Sequence, residues 1–236
     1  MSSSSGTILI SGGTSGIGRA TVLYFLSAGW RVITFGRRAE AIASLQLESQ
    51  DAPGELCAFA WDLEQRDWAD FEHHLHIYGI DRVDALVNNA GLLIKKPFLE
   101  LSRFDIESSF AVNIIGVMEL IQKVVPLMPE NSSILNISTM GGVQGSVKFP
   151  QLSAYGSSKS ALIALTELLA VELEPHKIRV NVLALGAVNT LMLQEAFPGF
   201  EASAQPEDLA AYIFSMVTDH GNLFNGKTLQ VSSSTP

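Results

Sequence analysis

The chain has 236 residues, a formal net charge of −9, 47% hydrophobic and 17% charged residues, a composition that suits one α/β domain with a large core. The acid excess argues against general attraction to nucleic acid or to anionic membranes. The single cysteine, Cys57, excludes an internal disulfide framework and fits a reducing, cytoplasmic setting.

Met1-Ser2-Ser3-Ser4-Ser5 lacks the basic start and apolar centre of a secretion signal and reads as a frayed tail before a single domain at 6–236. No uninterrupted apolar run approaches the ~20 residues that a membrane helix needs. Thr7-Ile8-Leu9-Ile10-Ser11 reads as a short buried strand. It runs at once into Gly12-Gly13-Thr14-Ser15-Gly16-Ile17-Gly18 and then into helical periodicity at Ala20, Val22, Leu23, Phe25 and Leu26. A strand that turns through glycines into a helix suits an anion, because glycine allows a tight turn and the helix start offers free N–H groups and the positive end of its dipole. Thr14 and Ser15 add hydroxyl donors; a plain capping turn explains one such glycine, not three. Trp30 to Phe35 and Leu56 to Trp61 are the next strands, with Cys57 packed as a small apolar side chain. Asp62 follows and is placed to cap a helix from Glu64 to Leu75. On that helix His73, His74 and His76 imitate a metal cluster, but they lie beside Glu72 and Asp70 on a polar face, so no metal site is expected.

Strand Val83 to Val87 runs into Asn88-Asn89-Ala90-Gly91, which suits either a plain turn or close approach of backbone to a flat ligand. Lys95 and Lys96 read as a solvated loop. In the apolar helix Phe110 to Val125, Asn113 is an oddity, since a buried amide needs partners. Ser133 to Ile137 is a strand that ends at Ser138-Thr139. Adjacent strand residues point to opposite sides, so only one of those hydroxyls can face a cleft. In the amphipathic helix Ser153 to Glu174, Tyr155 and Lys159 stand four apart on one face. A cation held beside a phenol favours phenolate and lowers a pKa of about 10 towards working range, which makes the pair a proton-transfer device. A surface helix with a snorkelling lysine is the bland alternative. Arg179 to Ala184 and Thr228 to Val231 are the remaining strands. Alternating strands and helices imply right-handed crossovers and a mainly parallel sheet with helices on both faces and ligands at the strands' carboxyl ends.

Gly12, Gly16 and Gly18, then Asp62-Leu63, Asn88-Asn89-Ala90-Gly91, Asn113, Ser138-Thr139, Tyr155 and Lys159 stand in an order that resembles the classical short-chain dehydrogenase/reductase family over residues 6 to 232. The resemblance implies a Rossmann-like, doubly wound α/β fold and hydride transfer between nicotinamide and a carbonyl or alcohol carbon of a small molecule. It makes Tyr155 the acid, with Lys159 lowering its pKa and binding the nicotinamide ribose, and has Asn113 hold a water in a proton relay. Thr139 stands where the family usually has the serine that bonds the substrate oxygen. By the same resemblance Gly12, Thr14, Ser15, Gly16, Ile17 and Gly18 cradle the cofactor's phosphates, Asp62 and Leu63 border its adenine, and Asn89, Ala90 and Gly91 lie along the adenosine ribose and pyrophosphate. Gly186, Val188 and Thr190 approach the nicotinamide side. Leu185 replaces a usual proline, a change expected to loosen that loop.

At the end of the second strand Gly36 offers no carboxylate to a ribose 2′-hydroxyl, whereas Arg37 and Arg38 offer planar forks to a 2′-phosphate, so NADP(H) is expected over NAD(H). A short lid at about 191–205, with Leu92 to Ile94, Met140, Val143, Phe149, Met192 and Phe197, suggests an apolar substrate pocket. Val117, Leu120, Val124, Leu162, Leu165 and Leu169, on the helices of Asn113 and Tyr155, predict a homodimer or homotetramer. A non-catalytic NADP(H)-binding sensor or scaffold that keeps the fold is the alternative. A sugar-nucleotide epimerase shares the Tyr/Lys pair, but the chain lacks the residues for its longer substrate domain.

Overall fold

The computed structural model describes residues 5–218 and 220–232, so most of the expected tail lies outside the described residues. Among these, seven strands form one sheet: β1 (Thr7–Ser11), β2 (Arg31–Gly36), β3 (Leu56–Ala60), β4 (Ala85–Asn88), β5 (Ser133–Thr139), β6 (Arg179–Leu185) and β7 (Thr228–Val231). Their order is β3-β2-β1-β4-β5-β6-β7, and every pairing is parallel. Parallel neighbours need crossovers, and the crossovers cover both faces, which is why the central strands are apolar throughout rather than alternating.

Along β1 and β2 the side chains divide between two cores as a period of two requires. Leu9 and Ile33 pack with Phe71, Leu120 and Leu162, which belong to α3 (Trp68–Ile77), α5 (Gly116–Val124) and α6 (Ser153–Glu172). Ile8, Ile10 and Val32 pack with Phe25, Leu45 and Ile213, from α1 (Gly16–Ser27), α2 (Ala39–Glu48) and α8 (Pro206–Thr218). Strand order reverses between β1 and β4, so the turns after those two strands open a crevice at the sheet's carboxyl edge.

Several expectations are corrected. The helix after β3 does not start under Asp62: a helix from Glu64 would have to contain Arg66, whose φ of 56° is left-handed. Asp67 caps α3 instead, accepting from the Asp70 N–H at 3.2 Å, while Asp62 Oδ1 accepts from the Glu64 N–H at 2.9 Å and closes a turn. β4 starts at Ala85 because the Val83 N–H donates to Leu127 O at 2.9 Å, outside the sheet. The helix of Asn113 begins earlier than its apolar stretch, at α4 (Arg103–Phe110), where Ser102 and Asp105 form a capping box. It continues through a π-turn at Ala111–Ile115 into α5. The whole run, Arg103–Leu127, is long and apolar enough by composition to cross a membrane, but its Val117, Leu120, Ile121 and Val124 are buried in the core. With Leu162, three of these also leave the set of candidate interface residues; the exposed apolar side chains on α6 and around α5 are Ile115, Met118, Leu168 and Val171.

Candidate active site

The turn after β1 is shaped by what its glycines admit. Gly12 and Gly16 have φ of +69° and +52°, where L side chains are strained; a Cβ on Gly12 would lie 2.9 Å from Ala90 Cα, and one on Gly18 would lie 2.3 Å from Gly12 O. The turn therefore closes on itself and on the β4 turn at once. Ser15 precedes α1 in extended conformation with no side-chain cap and no acidic residue in the first turn, leaving the helix start open to an anion. This shape fits the phosphates of a dinucleotide.

Two hydroxyls that sequence reasoning passed over hold the cradle. Ser11 Oγ accepts from the Asn89 and Ala90 N–H groups, both at 3.0 Å, and Thr34 Oγ1 accepts from the Gly13 N–H at 3.1 Å while donating to Ile10 O. Their signal was a polar residue in an apolar strand. The Asn89 amide donates to Ser11 O and Gly12 O, so it binds the two turns together. A Cβ on Gly36 would fall 2.7 Å from Thr14 Oγ1 and 2.8 Å from its methyl; Thr14 occupies the space an acidic residue would need. Arg37 and Arg38 are exposed, and among the described residues neither guanidinium has an ion-pair or hydrogen-bond partner. Asp62 and Leu63 stand at the end of β3, where α5 comes close because Gly116 has no side chain: a Cβ there would meet Leu63 Cγ at 2.7 Å.

The second cluster forms where α6 crosses the β4 and β5 ends. The Lys159 ammonium, 3% exposed, donates to Ile137 O at 2.8 Å. Asn113 sits in the π-turn, fully buried, a placement common at functional sites. Its Oδ1 accepts from Leu92 N at 2.8 Å, and its Nδ2 donates to Leu92 O and to Ser158 Oγ, both at 2.9 Å. Ser158 in turn donates to the Tyr155 carbonyl. Both groups converge on Gly91: a Cβ there would lie in contact, 3.4 Å from both Lys159 Nζ and Asn113 Oδ1. Ser138 is buried and donates to Lys159 O at 3.0 Å; Thr139 is half-buried at the strand's end, its Oγ1 accepting from Gly141 N at 3.4 Å.

The protonation pattern differs from the one the Tyr155–Lys159 spacing predicts. Tyr155 is half-buried by area but densely surrounded, and burial pushes its phenol up to about 12; burial also pushes the Lys159 ammonium down to about 8. Desolvation drives each group towards its neutral form. Among the described residues the phenol has no hydrogen-bond partner.

At the far rim, Leu185 pairs with Thr139 and Val231 inside the sheet, so the missing proline leaves no loose loop there. Gly186 is needed by the chain itself: a Cβ would sit 2.5 Å from Ser232 Oγ, and the Gly186 N–H donates to Val231 O at 2.9 Å. Thr190 caps α7 (Leu191–Ala196), accepting from Leu193 N at 3.3 Å, and its methyl lies 3.2 Å from where a Cβ on Gly16 would stand. A bridge between Val188 and Ala204 closes the base of the intervening segment. Of the expected pocket residues, Met140 is buried, while Phe149 and Met192 are exposed. Lys95 is exposed and Lys96 partly so, as a solvated loop requires, but both have partners: the Lys95 ammonium donates to Ala196 O at 2.7 Å and lies 4.2 Å from the Phe197 ring centre, and Lys96 pairs with Asp105 at 2.8 Å.

A wholly parallel sheet with an anion cradle at its switch point and a buried lysine one helical turn from a tyrosine defines a nucleotide-dependent oxidoreductase architecture. The chain belongs to the short-chain dehydrogenase family, whose description, short chain dehydrogenase, matches residues 6–200. It is 31% identical to the 3-oxoacyl-[acyl-carrier-protein] reductase FabG of Thermotoga maritima, covering 94% of each chain. It is 33% identical to the carbonyl reductase [NADPH] 2 of Sus scrofa, covering 95% of this chain and 94% of the other. Its structure superposes on 4-hydroxyisoleucine dehydrogenase complexed with NADH with a TM-score of 0.84, at 25% identity and 97% coverage of both. The protein is therefore an oxidoreductase that acts on CH–OH or C=O groups with a nicotinamide cofactor.

Proposed function

We propose that the protein is an NADP(H)-dependent carbonyl reductase for an apolar small molecule, with Tyr155 as the proton donor. The observation that carries this reading is the convergence of the Lys159 ammonium and the Asn113 amide around Gly91, on the helix that also bears Tyr155. When bound, the nicotinamide supplies the hydride. The N–H groups and hydroxyls of Gly12 to Gly18 hold its phosphates, with Asp62 and Leu63 at the adenine, Asn89, Ala90 and Gly91 along the adenosine side, and Gly186, Val188 and Thr190 towards the nicotinamide. The unpaired forks of Arg37 and Arg38 take the 2′-phosphate, and Thr14 keeps a carboxylate out of position 36.

A phenol near 12 is protonated at neutral pH, which suits it to give a proton to a developing alkoxide. Lys159, near 8, is acidic enough to return one, and Asn113 holds the water that replenishes the lysine. Thr139 bonds the substrate oxygen, since the Ser138 hydroxyl is engaged by Lys159 O. The exposed Ile115, Met118, Leu168 and Val171 support self-association as a dimer or tetramer, and the acidic, cysteine-poor composition supports a cytoplasmic setting.

The test is NADPH oxidation followed by nicotinamide absorbance against a panel of apolar ketones, aldehydes, quinones and β-ketoacyl thioesters. Tyr155→Phe should abolish turnover and leave NADPH binding intact, because the cradle is separate from the phenol. A protein that binds NADPH but reduces nothing, with Tyr155→Phe indistinguishable from the parent, would favour a sensor or scaffold.

A further inference from the structure

Segment 189–203 is fastened unequally at its two ends. Its base is closed by the Val188–Ala204 bridge and by the Asn189 N–H donating to Ala204 O at 2.9 Å. Its far end, the last turn of α7, is reached from the β4 loop by Lys95 alone of that loop's cations. The lysine meets Ala196 O at 2.7 Å and the Phe197 ring at 4.2 Å. A cation at a helix C-terminus satisfies a carbonyl that has no partner within the helix and faces the negative end of the dipole; the aromatic face beside it adds attraction of the same sign.

The mount of this lysine is rigid. Leu92, three residues before it, is gripped through both N–H and C=O by the buried Asn113. The next residue is pinned twice, by Lys96 N donating to Gln151 O at 2.9 Å and by the Lys96–Asp105 ion pair. One flexible side chain on a fixed loop thus joins the loop gripped by Asn113 to the last turn of α7, where Ala196 is buried.

We infer that Lys95 is the catch of the substrate lid, a positioning residue whose bond to Ala196 and stacking on Phe197 hold α7 closed and whose release admits and frees ligand. The inference rests on the reading of about 191–205 as a lid over the substrate site. It assigns Lys95 a part in exchange rate, not in the chemical step.

Lys95→Met keeps the aliphatic stem and removes the ammonium. In the protein alone, backbone hydrogen exchange of residues 191–200 should speed up at least fivefold, with α1 and α6 unchanged. In stopped flow, NADPH dissociation and the substrate KM should rise by about fivefold to tenfold while kcat holds or increases. Lys95→Arg should recover most of the parent behaviour, since a guanidinium keeps the positive charge and donors and can also lie over an aromatic face. Phe197→Leu, which removes only the ring, should give a smaller shift in the same direction. Exchange in 191–200 within twofold of the parent for Lys95→Met, or Lys95→Arg behaving like Lys95→Met, overturns the assignment. The exchange readout needs no ligand, so it reports on the catch even for a parent that fails to bind NADPH, a result that would sink the reductase reading instead.

Discussion

Replacing Lys159 by methionine should make the cofactor-free protein more stable. The lysine is 3% exposed and its pKa is pushed from 10.5 to about 8 by burial, and at about 1.4 kcal/mol per pKa unit that costs the folded state about 3 kcal/mol. Below pH 8 the amine is charged in folded and unfolded chains alike, and the cost is present in full. Between pH 8 and 10.5 the folded chain releases a proton that the unfolded chain keeps, so stability rises with pH; above 10.5 the cost is gone. Methionine keeps the stem and removes the charge, but it orphans Ile137 O, which costs about 1–2 kcal/mol. The net gain at pH 7 is about 1–2 kcal/mol. For a chain of this length, unfolding entropy of about 2.1 cal/mol/K per residue converts that to a rise in Tm of roughly 2–4 °C. Thermal denaturation followed by circular dichroism at pH 7 and pH 10 measures it, with the gap between variant and parent narrowing at the higher pH. Saturating NADPH should reverse the order, because the ammonium then gains the ribose. A variant that melts below the parent at pH 7 without cofactor, or a gap identical at both pH values, would refute the burial argument.

The two hydroxyls at the end of β5 should separate cleanly: Thr139→Ala should lower kcat by about a hundredfold, while Ser138→Ala, which removes a bond to the Lys159 carbonyl, should cost about 1 kcal/mol of stability and little turnover. The parent should bind NADPH at least about tenfold tighter than NADH, a difference of about 1.4 kcal/mol, by fluorescence titration. Gly36→Asp alone should clash with Thr14 and lower the melting temperature, whereas Gly36→Asp with Thr14→Gly should fold normally and bring NADH affinity to or above that for NADPH. Equal parent affinities would remove the basis for Arg37 and Arg38. Leu168→Glu, on the exposed face of α6, should convert a parent oligomer to monomer in light scattering at micromolar concentration, and a monomeric parent would contradict that interface.

How far the fold could be read depended on where its causes lie along the chain. The strands Thr7–Ser11 and Thr228–Val231 were legible to the residue, because each is too short for a helix, holds β-branched residues and closely follows a glycine. The start of α3 was not, because the left-handed Arg66 leaves no local mark. Tyr155 and Lys159 do share a helix, as their spacing requires, but spacing carries no information about burial, and burial reverses the expected shift of the phenol. The partner of the exposed Lys95 was not legible because that carbonyl lies 101 residues away. Candidate interface residues failed for a related reason: an apolar helix position is marked as buried, but not by which neighbour.

The contact between Gly186 and Ser232 gives the site an order of assembly. The loop proposed to face the nicotinamide is held by β7, the last of the described strands in chain order, and the proposed phosphate cradle follows β1, the first of them. A nascent chain that has folded its glycine turn still lacks the backstop for Gly186 until residues 228–232 have left the ribosome and docked. On the proposed reading of the site, cofactor capture during synthesis then waits for β7. A fusion placed directly after residue 232 would press on the same backstop, whereas one at the opposite end of the chain would leave it untouched.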